Sequence, residues 1–385
     1  MNVPMKLDLV TPYDPKALNS WGGGVSYFMA NAFKEQSVLV DCIGPVKEKK
    51  NKFISLKWHF YKYILREIYH TNRAPSIAKG FARQVEEQLA IRDTDVVLSL
   101  LTPPMAYLDC NQSLVLWADA TFADLIDFYP EFTNLCQETI RDGHFIDQEA
   151  FNKAKLAIFT SDWAAKTAIN FYKIEPSKVR VVSYGANLVS QNITIDDVKI
   201  LVKSRPSNQC NLLFLGTNWL RKGGPLTLEV TRMLNEAGLP TKLTVVGCEP
   251  LASELPSFVE PLGFVDKSSA AGAQKLYQLL RESHFLVLPS IADCTPNVFC
   301  EANSFALPCI STKVGGIETT IKDGVNGKTF SLNANSSDYC TYILGLFSNY
   351  ANYKELAISS FNEYESRLNW VTSTGIVKNL IKEIL

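Results

Sequence analysis

At 385 residues the chain is too long for a single compact core, which stops growing near ~250–300 residues, and suits two. Its composition, 46% hydrophobic and 20% charged with 20 Gly and 18 Pro, excludes a disordered chain, a collagen-like repeat and a polytopic membrane protein. Lys+Arg 38 against Asp+Glu 39 gives a net charge of −1, so no global basic field draws the chain to nucleic acid. Nine cysteines with no C-x-x-C argue against a disulfide framework or a zinc ribbon and for a reducing cytosol. The first ten residues hold no apolar signal core, and no run approaches the ~20 apolar residues that span a bilayer.

Along the chain, short apolar runs alternate with helical patterns, as in parallel sheets with crossover helices. Strands are expected at 6–10, 37–43, 96–101, 113–116, 156–160 and 179–182, with an amphipathic helix over 25–34. The pattern pauses near Tyr184-Gly185-Ala186, and a polar, strand-poor stretch follows to Gln209. A second series then brings strands at 211–215, 242–246, 285–288 and 308–311, separated by helices at 225–236, 271–281 and 299–305. The boundary falls within 187–205, giving domains 1–190 and 191–365. A closing amphipathic helix, 366–385, with Ile376, Leu380, Ile381 and Leu385 at helical spacing, could cap either domain. The fold class is α/β: two Rossmann-like, doubly wound halves facing each other across a cleft.

Three stretches could carry chemistry. Trp21-Gly22-Gly23-Gly24-Val25-Ser26 follows the first strand and opens a helix, where bare backbone and free N–H groups suit a diphosphate. The spacing is not G-x-G-x-x-G, and an ordinary glycine-rich turn reads equally well. Leu215-Gly216-Thr217-Asn218-Trp219-Leu220-Arg221-Lys222-Gly223-Gly224 again runs from strand to helix. Its adjacent planar fork and point charge suit an anionic leaving group, or else a solvated loop. The third stretch runs from Pro289 to Asn303 and places Asp293 in a loop eight positions before Glu301 in the following helix. Carboxylates accept from vicinal sugar hydroxyls and helix N-termini take phosphate oxygens; the plainer alternative is a capping Asp and a surface Glu.

These residues resemble the GT-B glycosyltransferases, within them the large retaining family four. Asp293-x7-Glu301, followed by Ala302-Asn303-Ser304-Phe305-Ala306-Leu307-Pro308, is similar to that family's E-x7-E motif, and Val314-Gly315-Gly316-Ile317 to its V-G-G-x. Gly216 with Lys222-Gly223 resembles its phosphate-binding G-x5-K-G. Ser161-Asp162-Trp163, Tyr172, Lys178-Val179 and Tyr184-Gly185-Ala186-Asn187 resemble the end of its N-terminal domain. The resemblance implies a retaining, metal-independent hexosyltransferase that uses a nucleoside-diphosphate sugar and no cofactor, in glycan or glycolipid biosynthesis. It implies that the acceptor binds on the N-terminal side. Lys222 and Arg221 would neutralise the departing diphosphate, Glu301 hold the ribose and Asp293 the transferred sugar. The N–H groups of Asn297 and Val298 would hold a phosphate. Gly23, Gly24, Gly216, Thr217, Phe264, Val265 and Thr295 would complete the donor site, with Gly263-Phe264-Val265 receiving the base.

Three departures stand out: Asp293 replaces the usual Glu, Thr217 stands where many members carry Arg, and Pro296 stands where Gly is common and removes an N–H. The family's frequent N-domain histidine is missing. Asp119, at the matching strand end, reads as a catalytic-face residue or as a loop cap. A GT-B epimerase and a non-catalytic sugar-nucleotide binder are the other readings of the same features.

Asp93-Thr94-Asp95 spells D-x-D but precedes a strand instead of following one, so no metal role is expected of it. His59, His70, His144 and His284 are scattered, and no G-x-S-x-G occurs. Residues 47–83 carry ten Lys/Arg against two acids, net +8, interleaved with Trp58, Phe60, Tyr61, Tyr63, Ile64 and Leu65. Such a segment suits an anionic membrane surface, or else a solvated helix face. A cytoplasmic location with peripheral attachment to the inner membrane face is the corresponding expectation.

Overall fold

The computed structural model describes residues 4–18, 24–189, 191–251 and 254–385. The chain divides into two compact units, Met1–Ser183 with Ser373–Leu385, and Tyr184–Thr372. Each unit carries one six-stranded, wholly parallel sheet.

In the first unit the strands are β1 (Lys6–Val10), β2 (Leu39–Ile43), β3 (Val96–Ser99), β4 (Ser113–Ala118), β5 (Leu156–Phe159) and β6 (Val179–Val181), ordered β2-β1-β3-β4-β5-β6. In the second they are β7 (Cys210–Leu215), β8 (Thr241–Val246), β9 (Val259–Pro261), β10 (Phe285–Leu288), β11 (Cys309–Thr312) and β12 (Gly327–Phe330), ordered β12-β11-β10-β7-β8-β9. That second order is the doubly wound dinucleotide-fold order, and its direction reverses between β7 and β10. The loops leaving the carboxyl ends of those two strands therefore diverge and leave room for a ligand.

Interior strands such as Phe285–Leu288 and Leu156–Phe159 are buried at every position, because helices cover both faces of a parallel sheet. Their unbroken apolar runs made them visible in the sequence. The edge strands β9 and β12 were not expected. They are short, partly exposed, and carry Glu260 with Pro261 and Gly327 with Lys328, features that keep an edge from pairing further.

The polar, strand-poor stretch before the second series holds a helix, Ile195–Ser204, whose Thr194 and Asp197 form a reciprocal capping box. The chain passes from one unit to the other at Ser183–Tyr184. The last helix, Trp370–Lys382, groups with the first unit from Ser373 onward. Its buried stripe is Ser373, Thr374, Val377 and Ile381, while Ile376 and Leu385 are exposed, so of the four expected apolar positions only Ile381 is fully buried.

The core of the second unit is fastened by buried Arg205, which among the described residues is paired with no carboxylate. Its guanidinium donates to the carbonyls of Arg281 (3.0 Å), Leu280 (3.3 Å), Phe305 (2.8 Å) and Ala306 (2.6 Å), and to the Tyr353 hydroxyl (2.9 Å). The Leu280 and Arg281 carbonyls end the helix Ala270–Glu282, where a cation also meets the negative end of the helix dipole, and those of Phe305 and Ala306 lie in the turn after Asn297–Asn303. Beside it, buried His284 is held neutral: burial and the Arg205 charge lower its pKa to about 4. Its Nδ1 accepts from the Asn211 N–H and its Nε2 lies 2.9 Å from the Pro206 carbonyl. His284 thus has a structural role, as its place at the head of an apolar strand indicates. Among the described residues no helix is long and apolar enough to cross a membrane.

Candidate active site

The site is built in the second unit, on the loops that leave β7 and β10. After β7 the chain must turn sharply to start the helix Gly224–Glu236, and Gly223 makes the turn in the left-handed region, φ 78°. A Cβ there would lie 2.1 Å from the Pro289 carbonyl oxygen, so only glycine lets the two loops touch. Trp219, buried against Phe214 with ring centroids 5.1 Å apart, anchors the tip of the same loop. The Asn218 side chain accepts from the Arg221 N–H (2.9 Å), and the Ile291 N–H donates to the Arg221 carbonyl (2.9 Å).

These constraints bring both cations to one carboxylate. Lys222 Nζ lies 2.5 Å from Asp293 Oδ2, and Arg221 lies 3.4 Å from Asp293 Oδ1 while donating to the Ala292 carbonyl at 2.6 Å. Lys222 and Asp293 are both buried, so the pair is sheltered from solvent screening. Gly216 sits against the Lys222 stem.

Glu301 is buried, not a surface acid, and its Oε1 lies 3.2 Å from Lys267 Nζ. Lys267 also donates to the Asn187 carbonyl (3.1 Å), whose side chain accepts from the Trp370 indole N–H (2.9 Å). Asn297 donates from its side chain to the Gly185 carbonyl (2.9 Å). The segment 185–187 thus braces the helix Asn297–Asn303 that carries Glu301. No side chain caps the N-terminus of that helix, where the Asn297 and Val298 backbone sits. Arg221 and Lys222 on the one carboxylate of Asp293 leave that group one net positive charge, while Lys267 and Glu301 balance each other.

Thr217 and Phe264 are exposed on the loops after β7 and β9, and Val265 packs partly on the core. Thr295 lies half-buried between Asp293 and the helix start. Lys267 and Asn187 were not found as site residues by sequence reasoning. Lys267 follows the Gly263-Phe264-Val265 segment at no motif spacing, and only the fold puts it beside Glu301.

The remaining candidates lie in the first unit. Gly23 falls outside the described residues. Gly24 opens the helix Val25–Glu35 at φ 86°, with the Leu18 carbonyl oxygen only 2.8 Å from where a Cβ would be. Asp119 lies exposed just past the carboxyl end of β4, and capping of the next helix falls to Thr121 and Asp124 instead. Burial and, secondarily, the Asp119 charge push the Tyr13 hydroxyl up to about 12. The D-x-D carboxylates serve the opposite end of the sheet: Asp95 accepts from the Lys6 N–H (2.8 Å) and Asp93 pairs with the Lys6 ammonium. Among the described residues no group of His, Cys, Asp and Glu is arranged to hold a metal ion.

Removing Asp293 alone would leave two sheltered cations facing each other. Asp293→Ala is expected to lower the unfolding free energy by about 3–5 kcal/mol in urea denaturation, whereas Lys222→Met combined with Asp293→Asn recovers most of that loss. Equal destabilisation by the single and the paired replacements would contradict the coupling.

Residues 209–349, which include Arg221, Lys222, Asp293 and Glu301, match the family model described as Glycosyl transferases group 1. The chain is 24% identical over 195 residues to the D-inositol 3-phosphate glycosyltransferase of Mycobacterium marinum, a match covering 48% of this chain but only 41% of that protein. Two solved structures align with nearly the whole chain. Anabaena Alr3699/HepE in complex with UDP has a TM-score of 0.64 at 16% identity, covering 98% of this chain and 100% of its own; it has also been solved with UDP-glucose. The lipopolysaccharide outer core galactosyltransferase WaaB has a TM-score of 0.65 at 15% identity, covering 99% and 100%. With two Rossmann-like units and these neighbours, the chain has the GT-B fold.

Proposed function

We propose that this protein is a glycosyltransferase that moves a hexose from a nucleoside-diphosphate sugar to an acceptor hydroxyl, with retention at the anomeric carbon. The observation that carries the reading is the pair Arg221 and Lys222, converging with Asp293 at the point where the second sheet reverses its strand order. Breaking the bond between sugar and diphosphate puts negative charge on the leaving group. Fixed cations in a sheltered site stabilise that charge without reorganising, and losing one such group typically costs about 2.7–4 kcal/mol. In this reading the side-chain cations meet the charge of the diphosphate and no metal is needed.

Asp293 holds the two cations in place and offers its remaining lone pairs to the hydroxyls of the transferred sugar. Glu301, oriented by Lys267, takes the ribose hydroxyls, and the N–H groups of Asn297 and Val298 take a phosphate oxygen. Gly216, Thr217, Phe264, Val265 and Thr295 complete the donor set in the second unit. Gly23, Gly24 and Asp119 are the residues of the first unit that we include. The UDP and UDP-glucose complexes of HepE make a UDP-hexose the first donor to test.

The deciding experiment incubates the chain with UDP-hexoses and a panel of glycan and lipid-linked acceptors in EDTA, and reads the product anomer by NMR. A product of inverted configuration, or a rate abolished by EDTA and restored by a divalent ion, would refute retention or metal independence respectively. Lys222→Ala is expected to lower kcat/KM by roughly 10²–10³-fold with the fold intact by circular dichroism. Glu301→Ala is expected to weaken donor binding in calorimetry.

We also propose that the enzyme works at an anionic membrane surface, which suits a lipid-linked acceptor. The support lies in residues 52–65, a helix (Lys52–His59) that continues as a π-helical turn (Phe60–Leu65). Phe53, Leu56, Tyr63 and Ile64 are each more than 60% exposed there, beside the exposed Lys52 and Lys62. The basic segment is narrower than the sequence indicated. Arg73 is buried against Asp147 at 2.6 Å, and Trp58 and Tyr61 pack toward the core. Each cation left at the surface contributes about 1 kcal/mol of attraction. The chain should float with phosphatidylglycerol-containing vesicles at low salt, and Leu56→Asp with Ile64→Asp should abolish flotation without lowering Tm.

A further inference from the structure

The first unit holds a cavity of about 470 Å³ that none of the roles above uses. It lies among the turn after β4, the long helix Gln137–Lys153 and the helix Asp162–Asn170 that follows β5. Its walls are aromatic: Phe128 and Trp163 lie 5.0 Å apart at 38°, and His144 and Phe171 lie 4.9 Å apart at 36°. Phe171 is 56% exposed, so part of its ring is open to solvent at the rim of the cavity.

The polar groups at this cavity are as specific as its walls. Asp124 is buried at its edge, with Oδ2 held by the Thr121 N–H and hydroxyl, both at 2.8 Å. Burial, with a smaller contribution from the Asp147 charge, pushes its pKa up to about 6. The Tyr172 hydroxyl, 3.0 Å away, occupies His144 Nδ1. Among the described residues His144 Nε2 and the Trp163 indole N–H have no hydrogen-bond partner. Thr167 stands one helical turn from Trp163 on the same wall.

Flat apolar faces beside unused donors and a carboxylate match a sugar ring, whose C–H face stacks on an aromatic plane while its hydroxyls seek polar partners at the rim. The volume falls within the range of small-ligand sites. We propose that this cavity is a carbohydrate subsite that seats one pyranose unit, stacked on Trp163 and Phe171 and hydrogen-bonded by His144 and Asp124. That the sugar belongs to the acceptor rests on the glycosyltransferase reading; that the cavity takes a sugar does not. An aromatic cage for a quaternary ammonium is the competing chemistry, and the test includes it.

The test is saturation-transfer NMR on the full chain with methyl glucoside, galactoside, mannoside and N-acetylglucosaminide, and with tetramethylammonium as the cationic probe. At least one glycoside should receive saturation, with binding weakened at least about tenfold in both Trp163→Ala and Phe171→Ala and kept in Trp163→Phe. Phe171 is exposed, so its variant answers even where Trp163→Ala fails to fold. The proposal is overturned when no glycoside binds, when binding is the same in the variants, or when tetramethylammonium binds and the glycosides do not. If the unaltered chain neither binds nor turns over a UDP-hexose yet the glycoside signal still depends on Trp163, the glycosyltransferase reading fails and the sugar subsite stands.

Discussion

Asp293 is shared by two cations, and two loops of the second unit are arranged around that sharing. A carboxylate with 9% of its side chain exposed would be costly alone, and so would the two positive groups beside it. Together they satisfy one another, provided two loops from different strands approach to within a hydrogen bond. The reversal of strand order between β7 and β10 supplies the space, and Gly223 supplies the approach. The same arrangement leaves an excess of positive charge where backbone N–H groups also gather, which is a demanding place for anything but an anionic ligand.

Much of the fold was legible because parallel strands buried on both faces leave continuous apolar runs, as in Val96–Ser99 or Phe285–Leu288. The edge strands were not legible, since β9 is three residues ending in proline and β12 opens on glycine. The helix Ile195–Ser204 was hidden by its composition. Only Val198 and Val202 on it are buried, so the segment read as no more than a polar, strand-poor stretch, although Thr194 and Asp197 stood at capping spacing.

The site divides in the same way. Residues in loops after strands, with glycines at the turns, announce themselves: Arg221, Lys222 and Asp293 were found from local context, and the fold brings them together. Asp293 and Glu301 are close in sequence, but what orients Glu301 comes from residue 267, which no spacing rule connects to it. Asp119 illustrates the converse: its position at a strand end was readable, while the capping box that makes it dispensable as a cap depends on the geometry of Thr121 and Asp124. The helix spacing in 370–382 misled because Ser373 and Thr374 share the buried stripe with Val377 and Ile381, and small hydroxylated residues do not register as apolar.

Arg205 has a consequence for how the helix Asn297–Asn303 keeps its aim. The guanidinium grips the chain just beyond Asn297–Asn303, at Phe305 and Ala306. Its acceptors are four main-chain carbonyls and one hydroxyl, so this anchor needs no partner charge. Four of its five acceptors are main-chain oxygens, so side-chain replacement can remove only the Tyr353 partner, and the grip tolerates sequence change everywhere but at residues 205 and 353.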